Sequence, residues 1–267
     1  MKMSKRTAIT RRQWMIDTTL AFGVGVGMSV PATAGAGLSD DLLSMVGHGK
    51  PALRLLLLDV SASPDAGDPR KLYRETALAF LAATRPGDEV VVAKLGDHGM
   101  DRFVAETINV RRTGRKFDDR KLLHAAQQRA AQEVDRVLAL PPTRQSRLIE
   151  TLAAAQPLVQ SALERGAPVR VALATDAIED SAQANFSAPG FTQVKADELL
   201  QKLVQAKRLM ALPPANAEVR PDIEVAMAGA GGNTPEAWQR NQRFWAGYFK
   251  ACAARLAFYG RTVPQFG

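Results

Sequence analysis

The sequence predicts an α/β protein with a mostly parallel central sheet that helices cover on both faces. Apolar runs at 53–58 and 169–174 are typical of strands buried on both faces. Helical patterns separate most of the predicted strands, and such alternation favours parallel strands joined by crossover helices. The 267 residues can bury a sizeable core, since 46% of them are hydrophobic and no linker rich in Ser, Gly or Pro divides the chain.

The first half of the chain is predicted to hold three strands and one helix. The strand at 53–58 ends in Asp59 and gives way to turn residues, and a helix follows over 70–84. A proline-glycine turn leads into the second strand, 89–95. The segment 104–110 alternates polar and apolar residues, which indicates a strand at the edge of the sheet.

The second half repeats strands and helices in alternation. Two long helices are predicted at 118–140 and 146–165, each followed by prolines or a glycine that end it. The strand at 169–174 comes next. The remaining predicted elements are a helix at 196–209, a strand at 223–228, a helix at 235–254 and a strand at 255–259.

Polar residues follow two of the buried strands. The first strand runs into Asp59-Val60-Ser61-Ala62-Ser63, and the strand at 169–174 runs into Thr175-Asp176. Ligands of open parallel sheets bind at the carboxyl ends of the strands, so these residues are candidates for a functional site. They resemble the metal-ion-dependent adhesion site of von Willebrand factor A domains, in which D-x-S-x-S follows the first strand and an Asp follows the fourth.

The resemblance extends over 53–259 and implies a three-layer, Rossmann-like von Willebrand factor A fold with one antiparallel edge strand. It also implies a Mg²⁺ site, in which Ca²⁺ or Mn²⁺ would be substitutes. Ser61 and Ser63 would ligate the cation directly. Asp59 and Asp176 would hold it directly or through water. Hard divalent cations prefer oxygen ligands of this kind.

The family's middle loop supplies a threonine, and this sequence departs from that pattern. Ser146 is the better match by the phase of the helix that follows, and Thr143 is the alternative. A serine keeps the hydroxyl ligand, but the family's glycine before it is absent. Arg144 and Arg147 bring positive charge close to the predicted site, which opposes cation binding.

Acidic residues are frequent in the loops at the predicted carboxyl edge of the sheet. Clustered carboxylates repel one another unless a cation lies among them, and this supports a metal site. Solvated loop acids and helix caps explain the same residues without a metal. The acids are Asp59, Asp65, Asp68, Asp97, Asp176, Glu179 and Asp180.

Residues 1–34 have the layout of a cleavable export signal. Five basic residues crowd the N-terminus, an apolar stretch follows at 20–30, and Ala32-Thr33-Ala34 has the A-x-A spacing of a cleavage site. The segment 10–16, with Arg11-Arg12, resembles a twin-arginine translocation signal, and an ordinary secretion leader is the alternative. The apolar stretch is shorter than a membrane-spanning helix needs. We therefore expect a periplasmic or secreted bacterial protein.

Cleavage would leave a short tether at 35–50 and a single domain at 51–267. The leader carries +4 of the formal net charge of +8, so the mature chain keeps +4. That charge is ordinary for a soluble domain and gives no reason to expect a nucleic acid as partner. The lone cysteine, Cys252, cannot form an internal disulfide.

Motifs for catalysis are weak. Ser61 lacks the G-x-S-x-G elbow of a nucleophilic serine, and Asp59 lacks the second acid that a phosphoryl acceptor uses two residues on. His98 lies near the predicted edge, where a surface role is the simpler interpretation. The glycine-rich loop 229–233 fits either a strand-to-helix turn or a phosphate cradle.

Two apolar features fit either a binding surface or the core. The loop 176–194 leaves from the predicted metal site and contains Phe186 and Phe191. In the family such loops shape the choice of partner, whereas packed phenylalanines would cover the core. The helix at 235–254 carries aromatic residues at three- and four-residue spacing, a stripe more typical of core than of interface.

The leading hypothesis is an exported, non-enzymatic domain that recognises an acidic residue of a protein partner through a divalent cation. The alternative is a structural subunit of a cell-envelope assembly that keeps the fold and binds no metal. A hydrolase that uses Asp59 or Ser61 is less favoured.

Overall fold

A mixed β-sheet organises the part of the chain that the computed structural model describes, residues 50–61, 69–95, 105–213 and 221–266. In this part the strands are β1 (Leu53–Asp59), β2 (Glu89–Leu95), β3 (Ala105–Asn109), β4 (Val169–Ala174), β5 (Ile223–Ala228) and β6 (Arg255–Gly260). They form one sheet in the order β3-β2-β1-β4-β5-β6. Neighbouring strands are parallel except β2 and β3, which pair antiparallel.

Helices cover both faces of the sheet. They are α1 (Arg70–Ala82), α2 (Lys116–Leu138), α3 (Leu148–Ala154), α4 (Gln156–Glu164), α5 (Gln193–Gln205) and α6 (Pro235–Ala251). Because side chains alternate along a strand, Leu56 and Leu58 of β1 pack with α1 and α2, whereas Leu55 and Leu57 pack with the other four helices. The predicted fold class, with its antiparallel edge strand, is confirmed.

The single helix predicted over 146–165 is wrong. The structure has two helices there, α3 and α4, which meet at Ala155. Pro157 lies in the first turn of α4, where its missing N–H and its ring do not disturb a helix, whereas both would disrupt the middle of a longer one. Ser146 consequently lies in the loop before α3 and not inside a helix.

Helices α5 and α6 both end earlier than predicted, and α5 also begins earlier, at residue 193 instead of 196. Thr192 and Thr234 cap the starts of α5 and α6, and their hydroxyls accept hydrogen bonds from Lys195 N and Ala237 N. At the other ends, Lys207 and Ala253 have φ of 54°, and this left-handed conformation ends each helix before its predicted last residue. Neither position carries the glycine that usually marks such an end.

The aromatic residues of α6 and of the loop before α5 form the core of one face. Phe186 and Phe191 are buried and stack at 4.6 Å between ring centroids. Phe186 also contacts Phe244 of α6 at 4.9 Å. The core interpretation of both features therefore holds, and the loop does not present these rings to a partner. No helix of the described ranges is both long and apolar enough to cross a membrane.

Candidate metal site at the carboxyl edge of the sheet

The carboxylate of Asp59, the last residue of β1, is the centre of the candidate site. Its side chain is 4% exposed, and both of its oxygens accept hydrogen bonds. Oδ1 accepts from the backbone N of Ser61 at 2.8 Å. Oδ2 accepts from Ser146 Oγ at 2.9 Å and from Thr175 Oγ1 at 2.7 Å. A buried carboxylate is thus held in one position by donors from three segments.

The sheet brings these three segments together. β1 and β4 are parallel neighbours, so the residues that follow them, Ser61 and Thr175, meet at the same edge. The middle loop joins them because Ser61 and Thr143 form an isolated parallel bridge, in which Thr143 N donates to Val60 O at 3.0 Å. Residues distant in sequence therefore share one site through backbone pairing.

The middle loop presents Ser146, and not Thr143, to Asp59. The hydroxyl of Thr143 donates to Gln145 O at 3.1 Å instead. A second contact fixes the loop, since Asp180 N donates to Ser146 O at 2.8 Å. The choice between Ser146 and Thr143 as a metal ligand stays a prediction.

Asp176 lies directly after Thr175 and is partly exposed. Its Oδ1 accepts from Ile178 N at 2.9 Å, and its backbone O accepts from Gly231 N at 2.6 Å. The next residue, Ala177, has φ of 62°, a conformation that costs a non-glycine residue about 1–2 kcal/mol. Trp245 Nε1 donates to Ala177 O at 2.9 Å, so the aromatic core of α6 holds this turn.

Tyr73 is a residue of the site that no sequence pattern indicates. It lies on α1, is 4% exposed and has its pKa raised far above the ordinary value by burial, with further contributions from the carboxylates of Asp59 and Asp176. The phenol is therefore neutral and lies close to both acids. Gly229 makes room for it, because a Cβ there would lie 2.6 Å from Tyr73 Cε1.

This contact explains the glycine at the start of the loop 229–233. Gly229 has φ of 96°, and a Cβ would also lie 2.9 Å from Thr175 O. Packing against Tyr73 thus accounts for Gly229 without a phosphate. A groove of about 580 Å³ runs along this loop beside Asp176, with Tyr73, Ile178 and Arg261 among its lining residues.

Glu179 does not belong to the acidic rim predicted at the carboxyl edge of the sheet. Its side chain is fully buried, and Oε2 accepts from Ile149 N at 2.9 Å at the start of α3. Burial raises the pKa of this carboxyl to about 8. Glu179 therefore holds the start of α3, next to the middle loop. The neighbouring Asp180 accepts a hydrogen bond through Oδ1 from Asn185 Nδ2 at 3.1 Å.

Several predicted residues lie outside the described part of the chain. They are Ser63 of the motif, the loop acids Asp65, Asp68 and Asp97, and His98. Of the predicted ligands, Asp59, Ser61, Ser146 and Asp176 are described. Ser61 is half-buried, and its backbone N donates to Asp59 Oδ1.

The donor set suits a hard divalent cation. Among the residues that the structure describes, no group of three or more His, Cys, Asp or Glu side chains could hold a metal ion. Carboxylates and hydroxyls remain, which are ligands for Mg²⁺ with water completing the shell. A hydroxyl that donates its proton to Asp59 keeps its lone pairs for a cation. These residues fit the metal that the resemblance implies.

Positive charge near the middle loop is partly offset. Arg147 pairs with Glu150 at 3.4 Å and donates to Gln145 Oε1 at 3.1 Å. Arg144 is exposed to solvent, which screens its charge. The expected opposition of these arginines to a cation is thereby weakened.

The resemblance to von Willebrand factor A domains implied a sheet with one antiparallel edge strand. It also implied hydroxyls and carboxylates at the carboxyl edge of that sheet. No family model and no curated protein matches the chain. Among solved structures, the chain is similar to the manganese-loaded TRAP protein of Plasmodium vivax, with 17% identity and a TM-score of 0.39. That match covers 80% of this chain and 69% of the other.

Two bacterial proteins show similar values. A von Willebrand factor type A protein from Catenulispora acidiphila has 12% identity and a TM-score of 0.40, over 81% of this chain and 39% of that one. The pilus adhesin SpaC from Lactobacillus rhamnosus GG, in its open conformation, has 11% identity and a TM-score of 0.42, over 74% and 26%. At these values, function has to be inferred from the residues of this chain.

Proposed function

We propose that this chain is an exported, non-enzymatic domain that binds a protein partner through a divalent cation at the carboxyl edge of its sheet. The observation that carries the proposal is the convergence of the Ser146 and Thr175 hydroxyls on one oxygen of Asp59, at 2.9 and 2.7 Å. Mg²⁺ is the cation that this donor set suits, and Ca²⁺ or Mn²⁺ would substitute for it.

The proposed ligands are Asp59, Ser61, Ser63, Ser146 and Asp176. A cation held by hydroxyls and few carboxylates keeps coordination positions for water, and an acidic side chain of the partner would replace one of these waters. The groove beside Asp176 would supply further contact area. In this role the domain binds its partner and catalyses no reaction.

Thermal melting with added Mg²⁺ tests the cation. A ligand that binds the folded state alone raises the melting temperature as its concentration exceeds the Kd. We expect the wild-type chain to show this rise and Ser146→Ala to lose most of it. Thr143→Ala is the matched control, because its hydroxyl bonds Gln145 O and not Asp59. A rise lost in Thr143→Ala and kept in Ser146→Ala would contradict the proposed ligand set.

A second candidate function, a structural envelope subunit without metal, has one observation in its favour. Every oxygen of Asp59 already accepts a hydrogen bond from the protein, so this carboxylate is satisfied without a cation. This candidate predicts no melting shift with Mg²⁺ and partner capture that a chelator leaves unchanged. The metal-dependent function predicts that the chelator abolishes capture and that Mg²⁺ restores it.

Export is proposed from residues 1–34, which lie outside the described residues. Replacement of Arg11 and Arg12 by lysine would block a twin-arginine route, because that route reads the arginine pair. Accumulation of the precursor inside the cell is the expected result, measured by fractionation. Normal export of the variant would favour an ordinary secretion leader.

A further inference from the structure

A second cavity lies at the amino end of the sheet, on the face that α1 covers. It has a volume of about 590 Å³, within the usual range of small-molecule sites. Strands β1, β4, β5 and β6 and the segment 261–266 contribute to its walls. Its lining includes three arginines and three aromatic rings, Arg54, Arg85, Arg170, Phe80, Phe258 and Phe266.

Arg54 is a buried cation with an incomplete set of acceptors. It lies near the start of β1 on the same face as Leu56, and it is 4% exposed. Its NH2 group donates to Phe80 O at 3.1 Å, whereas its NH1 group lies 3.7 Å from Asp88 Oδ2. Within the described ranges, its buried Nε has no acceptor. Burial lowers the pKa of this guanidinium to about 10 against the attraction of Asp88.

The two other arginines add positive charge to the same wall. Arg170 of β4 is in register with Arg54 and is paired with Asp222 at 2.8 and 2.9 Å. Arg85 is exposed, and its guanidinium forms no ion pair within the described residues. Glu224 is the acidic residue among the described lining, and Arg255 already pairs with it at 2.8 Å. Arg54 and Arg85 therefore retain donors for an anion.

Apolar side chains also line the cavity, and the ring of Phe80 lies against Arg54, with 4.6 Å from the ring centroid to Arg54 Cζ. Phe266 packs edge to face on Phe80 at 5.0 Å, and Phe258, Ala226 and Val263 continue this surface. A cavity lined by both cationic donors and aromatic rings suits an anion with an apolar body. Burial of that body and charge-assisted hydrogen bonds to its head would both favour binding.

We propose that this cavity binds a small organic anion, with a carboxylate head at Arg54 and Arg85 and an aliphatic or aromatic body against Phe258 and Phe266. The site lies away from Asp59 and requires no metal. It is therefore independent of the function proposed for the carboxyl edge.

Calorimetric titration of the purified full-length chain with sodium octanoate tests this proposal, with 1-octanol as the uncharged analogue. We expect saturable binding of octanoate that weakens with salt, and no measurable binding of octanol. Arg85→Met should weaken octanoate binding about tenfold, the loss of one charge-assisted hydrogen bond. Because Arg85 is exposed, this variant should fold, and its melting temperature checks that it does.

Lys202→Met is the matched control. Lys202 is a cation of α5 that lines a different cavity, beside Phe191, so its replacement should leave octanoate binding unchanged. Equal binding of octanol and octanoate, equal effects of the two variants or no saturable binding would each overturn the proposal. Binding of a pentaglutamate peptide without binding of octanoate would overturn it in favour of an acidic protein segment.

Discussion

The two ends of the sheet bury charge in different ways. At the carboxyl edge, both oxygens of Asp59 are fixed by short hydrogen bonds from three segments. At the amino end, Arg54 has an unpaired Nε and lies 3.7 Å from Asp88, its nearest acid. The carboxylate of Asp59 is thus fully hydrogen-bonded, whereas the guanidinium of Arg54 keeps a donor without an acceptor among the described residues. We expect substitutions at the two ends to change the free energy of unfolding by different amounts.

Gly229→Ala should have the largest effect on stability, because it inserts a methyl group among the packed residues at the carboxyl edge of the sheet. The Cβ would meet Tyr73 and Thr175 O at a φ of 96°, and we expect a loss of about 2–5 kcal/mol in the free energy of unfolding. Gly114→Ala is the control, since φ there is 79° but nothing lies within 4 Å of the new atom. Urea unfolding should show a loss of about 1–2 kcal/mol in the control. Equal losses in the two variants would mean that the residues around Gly229 are not tightly packed.

Glu179, which is buried under the middle loop, should make the stability of the protein depend on pH. Its folded pKa of about 8 lies above the ordinary 4.5, so the folded state holds the proton more tightly. Its contribution is complete below pH 4.5 and is lost as pH rises towards 8. Urea unfolding of Glu179→Gln should lack this loss. The same slope in variant and wild type would contradict the assignment.

Thr175→Val removes one hydroxyl from Asp59 and keeps the shape of the side chain. The variant loses a charge-assisted hydrogen bond, and Ala177 N loses its acceptor at 3.1 Å. We expect a loss of about 1–3 kcal/mol in the free energy of unfolding. Thr84→Val is a buried control whose hydroxyl has no partner, and it should change stability little.

Arg54→Met should have the smallest effect of this series. It removes a buried cation that is incompletely paired, and an apolar side chain of similar length can fill the space. Asp88 keeps its hydrogen bonds from Ala52 N and Arg85 N at 2.9 Å each. We expect a loss smaller than that of Thr175→Val, because the contact of Arg54 with Asp88 is long, at 3.7 Å, and urea unfolding measures it. A loss as large as that of Thr175→Val would remove the difference between the two ends.

The strands and part of the candidate site could be predicted because their signals are local. Asp59, Ser61 and Asp176 directly follow apolar runs, and a residue at a strand end of a parallel sheet can be placed without knowledge of the packing. Ser146 is favoured by the phase of the helix that follows it. Pro157 was a visible signal for the helix break, but its effect was missed.

The rest depends on contacts between distant segments. Tyr73 reaches the site because α1 packs against Gly229, and no pattern around Tyr73 indicates this. Glu179 looked like a loop acid, since sequence alone does not show that its loop folds under α3. The arginine cavity depends on the register of β1 with β4, which places Arg54 beside Arg170. The roles of such residues can be recognised only when the pairing of the strands is known.

Binding of Mn²⁺ to the full-length chain, followed by electron paramagnetic resonance, tests the central claim most directly. Free Mn²⁺ gives a strong signal that weakens on binding, so the number of sites and the competition by Mg²⁺ can both be measured. We predict one Mn²⁺ per chain, displaced by Mg²⁺ and lost in Ser146→Ala but kept in Thr143→Ala. A wild-type chain that leaves the Mn²⁺ signal unchanged would contradict a metal site at the carboxyl edge.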